Sequence, residues 1–168
     1  MSFVKKDISD GLVFDPYKMI GTDWALVTAG DMKSHNTMTV SWGQTGILWN
    51  KPVFTAYIRT SRKTFEFTED NDYFTVSCFG GEQREALSFC GSHSGRDCDK
   101  EKETGLVPVE FCGTVAYEQA QRVFVCRKLY IQDMKEECFT DKEYLKFYEK
   151  DPYHRMYVGE IVAVYEKN

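Results

Sequence analysis

Residues Asn36 to Thr64 read NTMTVSWGQTGILWNKPVFTAYIRTSRKT, and the fold follows from how this stretch is parsed. It opens on an alternating run, Met38-Thr39-Val40-Ser41-Trp42, in which a period of two sends Met38, Val40 and Trp42 to one face and Thr39 and Ser41 to the other. One face is apolar and the other is all hydroxyl. A Gly-rich turn with Gly43 and Gly46 follows, and beyond Pro52 a second strand is predicted over Val53 to Ile58. That strand runs into Arg59-Thr60-Ser61-Arg62-Lys63-Thr64, so three cations and three hydroxyls cluster where it ends.

Ser61 suits the N-cap of a helix predicted over Arg62 to Glu69, and a helix N-terminus presents free N–H groups at the positive end of its dipole. Such a place fits an anion. Arg59 and Arg62 add guanidinium forks that match a phosphate, and Thr60, Ser61 and Thr64 add hydroxyl donors. The plainer reading of the same six residues is a capped, solvated helix start. The hydroxyl-bearing strand beside it favours the ligand reading.

Working outward, 168 residues suffice for one domain with a full core, and the chain is expected to form a single domain over 1–168. Hydrophobic residues make up 42% and aromatics 15%, and the Tyr, Phe, Val and Thr content favours strands. With 26 acids against 21 bases the net charge is −5, so no global basic field draws nucleic acid or an anionic membrane. A local phosphate site survives that balance, because distant carboxylates are screened beyond about 8 Å and an arginine in contact is not. No apolar run reaches the ~18 residues of a membrane span, and MSFVKKDISDGLVF lacks a signal-peptide core, so a cytoplasmic protein is expected. Cys78, Cys90, Cys98, Cys112, Cys126 and Cys138 stand far apart and read as reduced thiols.

Before the central stretch, Pro16 argues against helix in the lead-in, and Trp24 to Thr28 reads as a strand closed by the turn signal Ala29-Gly30-Asp31. After it, Tyr73 to Phe79 reads as a strand ended by Gly80-Gly81, and Gln83 to Cys90 as a short helix stopped by Gly91. A polar loop follows, then a helical turn or two over Asp97 to Glu103, stopped by Gly105. Strands are expected over Cys112 to Glu118, Arg122 to Gln132 and Met156 to Tyr165, the last with a bend at Gly159, and an amphipathic helix over Asp141 to Glu149. About seven strands with short helices and no regular βαβ alternation predict a mainly β, antiparallel barrel with a few short inserted helices; a doubly wound sheet is the alternative.

Other chemistry finds less support. Cys90-x-x-His93-x4-Cys98 offers part of a zinc spacing but no fourth ligand nearby, so no metal site is expected. Cys126 or Cys138 with His154 lacks any sign of an oxyanion hole, and no catalytic residue is assigned. No G-x-G-x-x-G or Walker lysine is present, and Asp97 and Asp99 sit beside Arg96 and Lys100 as a solvated or ion-paired loop. His154 is either an ordinary surface or core histidine or, with Tyr153, the lining of a substrate pocket.

Asn36-Thr37-Met38-Thr39-Val40-Ser41-Trp42 with Gly46, Trp49 and Lys51-Pro52, then Arg59 to Thr64, then Ser94-Gly95-Arg96-Asp97 with Lys100, resembles the flavin reductase-like, FMN-binding split-barrel proteins, flavoredoxins among them. The resemblance is closest over Gly21 to Lys100. It implies a split β-barrel and FMN as cofactor. Asn36, Met38, Thr39, Ser41 and Trp42 would lie along the isoalloxazine and ribityl chain, and Arg59, Ser61, Arg62 and Thr64 would take the 5′-phosphate. Ser94, Arg96 and Lys100 would reach the cofactor from the later loop, Lys100 or Arg96 placing a cation by the ring. It implies a homodimer with FMN near the interface. Flavin carries hydride and electron chemistry itself, so the expected activity is a flavin reductase-like or flavoredoxin-like oxidoreductase passing electrons through FMN. Its donor would be a nicotinamide nucleotide or a redox protein; the alternatives are a carrier or sensor without turnover and a barrel that binds another anion.

Overall fold

The computed structural model describes residues 2–8 and 11–168; Met1, Ser9 and Asp10, part of the stretch read for a signal peptide, lie outside them. Among the described residues ten strands form: β1 (Phe3–Lys6), β2 (Ala25–Gly30), β3 (His35–Val40), β4 (Gly43–Leu48), β5 (Lys51–Arg59), β6 (Tyr73–Cys78), β7 (Pro108–Phe111), β8 (Thr114–Tyr117), β9 (Arg122–Asp133) and β10 (His154–Lys167). Three α-helices, α1 (Lys63–Asp70), α2 (Arg84–Ser92) and α3 (Lys100–Thr104), join them, with a π-helical turn at Tyr17–Thr22 and 3-10 turns at Glu136–Cys138 and Lys142–Tyr148.

One eight-stranded sheet runs in the order β3-β2-β6-β9-β10-β5-β4, with β1 also on β10, and β7 and β8 form a separate hairpin. Every pairing is antiparallel. The two outermost strands on that path, β3 and β4, are consecutive in the chain and separated by Ser41 and Trp42 alone. Three virtual bonds of about 3.8 Å span at most ~11 Å, so the edges of the sheet are drawn together and the sheet is rolled. This is the mainly β, antiparallel split barrel with few short helices, not a doubly wound sheet, and Ser41-Trp42 marks the split.

Alternation along the strands makes two apolar layers. Ala25, Val27 and Ala29 of β2, Phe54, Ala56 and Ile58 of β5, and Phe124 and Cys126 of β9 fill the barrel. Leu26 of β2 and Val123 and Val125 of β9 point outward against Leu87 and Cys90 of α2 and Ala116 and Tyr117 of β8. In the 14-residue β10, the register slips between Val158 and Gly159, at the expected bend. A Cβ on Gly159 would lie 2.7 Å from the Phe74 ring, so the bare backbone there makes room for that ring.

Several local expectations change. The stretch with Gly43 and Gly46 is strand β4, and the turn falls at Trp49-Asn50, both with positive φ (51° and 57°) as a primed hairpin turn requires. Gly43 serves packing instead: a Cβ there would meet the Phe54 ring at 3.2 Å. Cys112-Gly113 is likewise a turn with positive φ between β7 and β8, not the start of one strand. Pro16 precedes a helical turn, because the first turn has no use for its missing N–H, and Asp15 Oδ1 accepts from the backbone N–H groups of Tyr17 and Lys18 at 2.9 and 3.1 Å.

Ser61 does not cap α1: the N-cap is Arg62, with no side-chain capping bond, and the helix begins at Lys63. Gly91 lies inside α2, where a Cβ would meet Thr39 Cβ at 3.3 Å, so it allows close helix-to-strand approach and does not stop the helix. The Asp141 to Glu149 segment is a 3-10 helix over Lys142–Tyr148 with no buried residue. With no core face to pay for an α-helix, the pattern yields a tighter, half-exposed turn over the barrel mouth.

Candidate functional site

Two clefts open at the split. The smaller, about 210 Å³, is lined by Met38 and Thr39 of β3, Ser41 and Trp42 of the crossover, Tyr57 and Arg59 of β5, Arg62, and His154 of β10. The larger, about 520 Å³, shares Ser41, Trp42, Tyr57 and His154 and adds Gln44 and Thr45 of β4, Ile20 of the π-turn, Met134 and Tyr148. Pleating explains the set: Phe54, Ala56 and Ile58 face the core, so Tyr57 and Arg59 face out, and His154 is the cross-strand partner of Arg59. Trp42 leaves the apolar face predicted for it. It lies past the end of β3, 43% exposed, with its ring 5.4 Å from Phe147 and 5.2 Å from His154.

The cleft carries excess positive charge. Arg62 is part-buried, and burial first, then repulsion from Arg59, lowers its pKa. Its guanidinium makes one side-chain hydrogen bond among the described residues, to the Cys90 carbonyl at 3.2 Å. Arg59 is already engaged: Nη1 donates to the Pro152 carbonyl at 3.1 Å and Nη2 to the Phe147 carbonyl at 3.0 Å. Asp151, 3.8 Å from Arg59 and 59% exposed, is the sole carboxylate in ion-pair range of this arginine among the described residues. Two cations with so little counter-charge, one of them starved of acceptors, make a place for an anion.

His154 is buried, and burial first, then Arg59, depresses its pKa to about 4, so near neutrality it is an uncharged imidazole. Its Nδ1 lies 3.0 Å from the Tyr148 hydroxyl. Tyr153 does not reach either cleft; it stacks behind Tyr148 at 4.6 Å and near Phe139 at 6.0 Å.

The remaining expected residues fall into two groups, neither of which lines these clefts. Asn36, Thr64 and Lys100 are buried. Asn36 Nδ2 donates to Thr64 Oγ1 at 2.6 Å, and Lys100 Nζ donates to the carbonyls of Thr37 and Cys90 at 2.8 and 2.9 Å. Burial chiefly lowers the Lys100 pKa. Ser61, Ser94 and Arg96 lie outside: Arg96 Nη1 donates to the Ser61 carbonyl at 3.0 Å, Arg96 pairs with Glu66, and Ser94 Oγ accepts from the Arg96 backbone N–H at 3.2 Å. The loop thus clamps the start of α1. Thr39, though it borders the cleft, donates its hydroxyl to the Leu87 carbonyl of α2.

Tyr57, Gln44, Met134 and Tyr148 were missed. Tyr57 stands two before Arg59 in one strand, so the period of two already placed it on the same face. Tyr148 and Met134 arrive through the return of a distant segment, which no local pattern encodes. Cys90, His93 and Cys98 form no cluster: among the described residues no three His, Cys, Asp or Glu side chains converge as a metal site, and His93 stacks on Phe89 at 4.0 Å. Among those residues no helix is long and apolar enough to cross a membrane.

The rolled antiparallel barrel, split at Ser41-Trp42, places the chain among split-barrel domains. Residues 17–168 match the family described as flavin reductase like domain, and the chain belongs to that family. Among solved structures, it is similar to an FMN-binding domain of flavin reductases-like enzyme from Shewanella baltica (16% identity, 98% of this chain and 77% of that one, TM-score 0.70). It is also similar to an FMN-binding protein from Thermus thermophilus with bound p-hydroxybenzaldehyde (23%, 86% and 71%, 0.67) and to a flavoredoxin from Methanosarcina acetivorans (21%, 86% and 68%, 0.65). Such identities establish the fold alone. A comparison with curated protein sequences gives no match.

Proposed function

We propose that this protein binds FMN at the split of its barrel and acts as a flavin-dependent oxidoreductase of the flavin reductase or flavoredoxin kind. The observation that carries the reading is Arg62, a part-buried guanidinium in a cleft, repelled by Arg59 and left with one hydrogen-bond acceptor among the described residues. Arg62, backed by Arg59, would hold the phosphate. Met38, Ser41 and Trp42 would border the rest of the cofactor, and the adjoining space of about 520 Å³ has room for a fused ring system. Asn36, Thr64 and Lys100 act from behind, as positioning residues that fix β3 against α1 and α2. When bound, FMN supplies two-electron acceptance and release; this chain orients it, shields it and sets the charge around it.

The same reading takes the electron donor to be a nicotinamide nucleotide or a redox protein, and the protein to be cytoplasmic and homodimeric. Dimerisation is supported by Ile47 (74% exposed) and Trp49 (57%) on the β4–β5 hairpin, with Tyr130 beside Trp49, exposed apolar side chains a second copy would cover. Purified protein should carry FMN or take it up in titration with a change in the flavin absorption bands. A colourless protein indifferent to added FMN overturns the proposal. Anaerobic addition of NADH, then NADPH, to the loaded protein identifies the donor, and bleaching by neither leaves the redox-protein donor.

A further inference from the structure

Residues 134–153 leave the sheet after β9 and rejoin it at β10, and none of them is buried. A segment with no core face is held by the few groups its edge touches, and it opens at low cost. Lys142 Nζ donates to the Glu136 carbonyl at 3.0 Å and Lys146 pairs with Glu143 at 2.6 Å, bonds that steady the segment without tying it to the barrel. Toward the barrel, the Phe147 ring meets Trp42 edge-on at 5.4 Å and the Tyr148 hydroxyl lies 3.0 Å from His154 Nδ1.

The remaining tie is a cation. Arg59 donates to the carbonyls of Pro152 and Phe147 at 3.1 and 3.0 Å, and the Asp151 carboxylate lies 3.8 Å from the same guanidinium. Two carbonyls and a carboxylate, all from residues 147–152, thus gather on one arginine. A phosphate presents the same pattern, several acceptor oxygens with negative charge. Arg62, in the same cleft, meets no oxygen of this segment, and its guanidinium makes one side-chain hydrogen bond among the described residues, to the Cys90 carbonyl.

We propose that residues 147–152 are an internal competitor for the anion: they take Arg59 for themselves, and a phosphate seated on Arg62 draws that guanidinium away and loosens the 134–153 segment. Charge sets the sign. Asp151 and a phosphate sharing one guanidinium repel each other, and the ligand of higher charge takes the stronger charge-assisted bonds. The inference rests on the cleft being a phosphate site and adds its regulation: entry of a phosphate-bearing ligand is coupled to opening of the segment.

The test follows amide hydrogen exchange in the full chain at matched ionic strength, with chloride, inorganic phosphate, FMN or riboflavin added. Phosphate and FMN should raise exchange across residues 142–153 several-fold, and riboflavin, which lacks the phosphate, should not. Phe147→Ala keeps every charge and removes the ring resting on Trp42, so it should bind inorganic phosphate about two- to tenfold more tightly, the range an aromatic pair is worth. Asp151→Asn should also tighten phosphate binding, by up to about fivefold. A purely electrostatic role for Asp151 would tighten Asp151→Asn and leave Phe147→Ala at the wild-type affinity, which overturns the proposal. Exchange lowered or unmoved by bound phosphate overturns it too. If phosphate opens the segment and FMN does not bind, the cofactor reading falls alone; if FMN binds and the segment stays as it was, the competition falls alone. Failure of the wild type and both variants to take up either ligand sinks both.

Discussion

Arg59 Nη2 donates to the carbonyl oxygen of Phe147 at 3.0 Å, tying the last residue of β5 to the aromatic turn that closes over the barrel mouth. The same guanidinium holds the Pro152 carbonyl and lies 5.2 Å from the Tyr148 ring centroid. Arg59 is therefore both a cleft cation and the anchor of the 134–153 segment. Arg59→Ala should weaken FMN binding about tenfold or more, since hydrogen bonds to charged groups are worth ~1.5–3 kcal/mol. It should also raise amide hydrogen exchange across residues 134–153. Arg59→Lys should restore neither fully, because one ammonium cannot span two carbonyls as a fork does. Unchanged exchange in the segment would show that the anchor lies elsewhere.

Arg62 bonds no residue of the 134–153 segment, its guanidinium donating to the Cys90 carbonyl of α2, so its replacement separates the cleft charge from that anchor. Arg62→Ala should reduce affinity for FMN by about ten- to a hundredfold, the equivalent of ~1.5–3 kcal/mol, and leave riboflavin affinity nearly unchanged, because riboflavin lacks the phosphate. Exchange in the 134–153 segment should match the wild type. Equal losses for FMN and riboflavin would move Arg62 away from the phosphate end.

How far the sequence disclosed this arrangement depends on whether the signal was local. Alternation along β2, β5 and β9 is local, so the barrel and the outward placement of Arg59 were legible. The turn at Trp49-Asn50 was hidden because neighbouring glycines drew the assignment, although Gly43 is needed for contact with Phe54. Met38, Ser41, Trp42, Arg59 and Arg62 belong to one continuous stretch, and the fold brings all five to one cleft. Lys100, which the resemblance places beside the cofactor, is buried in the fold, a fact no local pattern encodes, and its ammonium bonds two main-chain carbonyls. Tyr148 depends on a return of the chain after β9 and had no local sign.

The His35–Glu101–Tyr117 cluster contributes to the pH dependence of stability. Burial alone would raise the Glu101 carboxyl, but hydrogen bonds from His35 at 3.2 Å and Tyr117 at 2.7 Å bring it down to about 2. The Glu101 hydrogen bond in turn raises His35, against burial. The depressed carboxyl contributes stability that is present above its ordinary value of 4.5 and lost as pH falls toward about 2. The raised imidazole contributes stability that is full below its ordinary 6.5 and lost as pH rises through its folded value. The melting-temperature gap between wild type and His35→Ala should accordingly be widest near pH 4.5 to 6.5 and shrink on both sides. A gap that stays constant across the range would mean that the contact acts as a neutral hydrogen bond.

Asn36 provides the sharpest test of the division between ligand-touching and positioning residues. Its amide is buried, donates to Thr64 Oγ1 at 2.6 Å, and packs so closely under the 94–96 loop that a Cβ on Gly95 would fall 2.0 Å from its Oδ1. That bond joins β3 to the start of α1, and the close packing seats the loop that clamps it. Asn36→Ala should thus lower folding stability by about 1–3 kcal/mol, the usual consequence of leaving a buried partner unpaired. FMN affinity should fall less than in Arg62→Ala, because no cofactor contact is removed. Denaturant melts and FMN titrations on both variants order the two effects. If Asn36→Ala leaves stability intact and FMN affinity collapses, Asn36 touches the cofactor directly and the packing account of it is wrong.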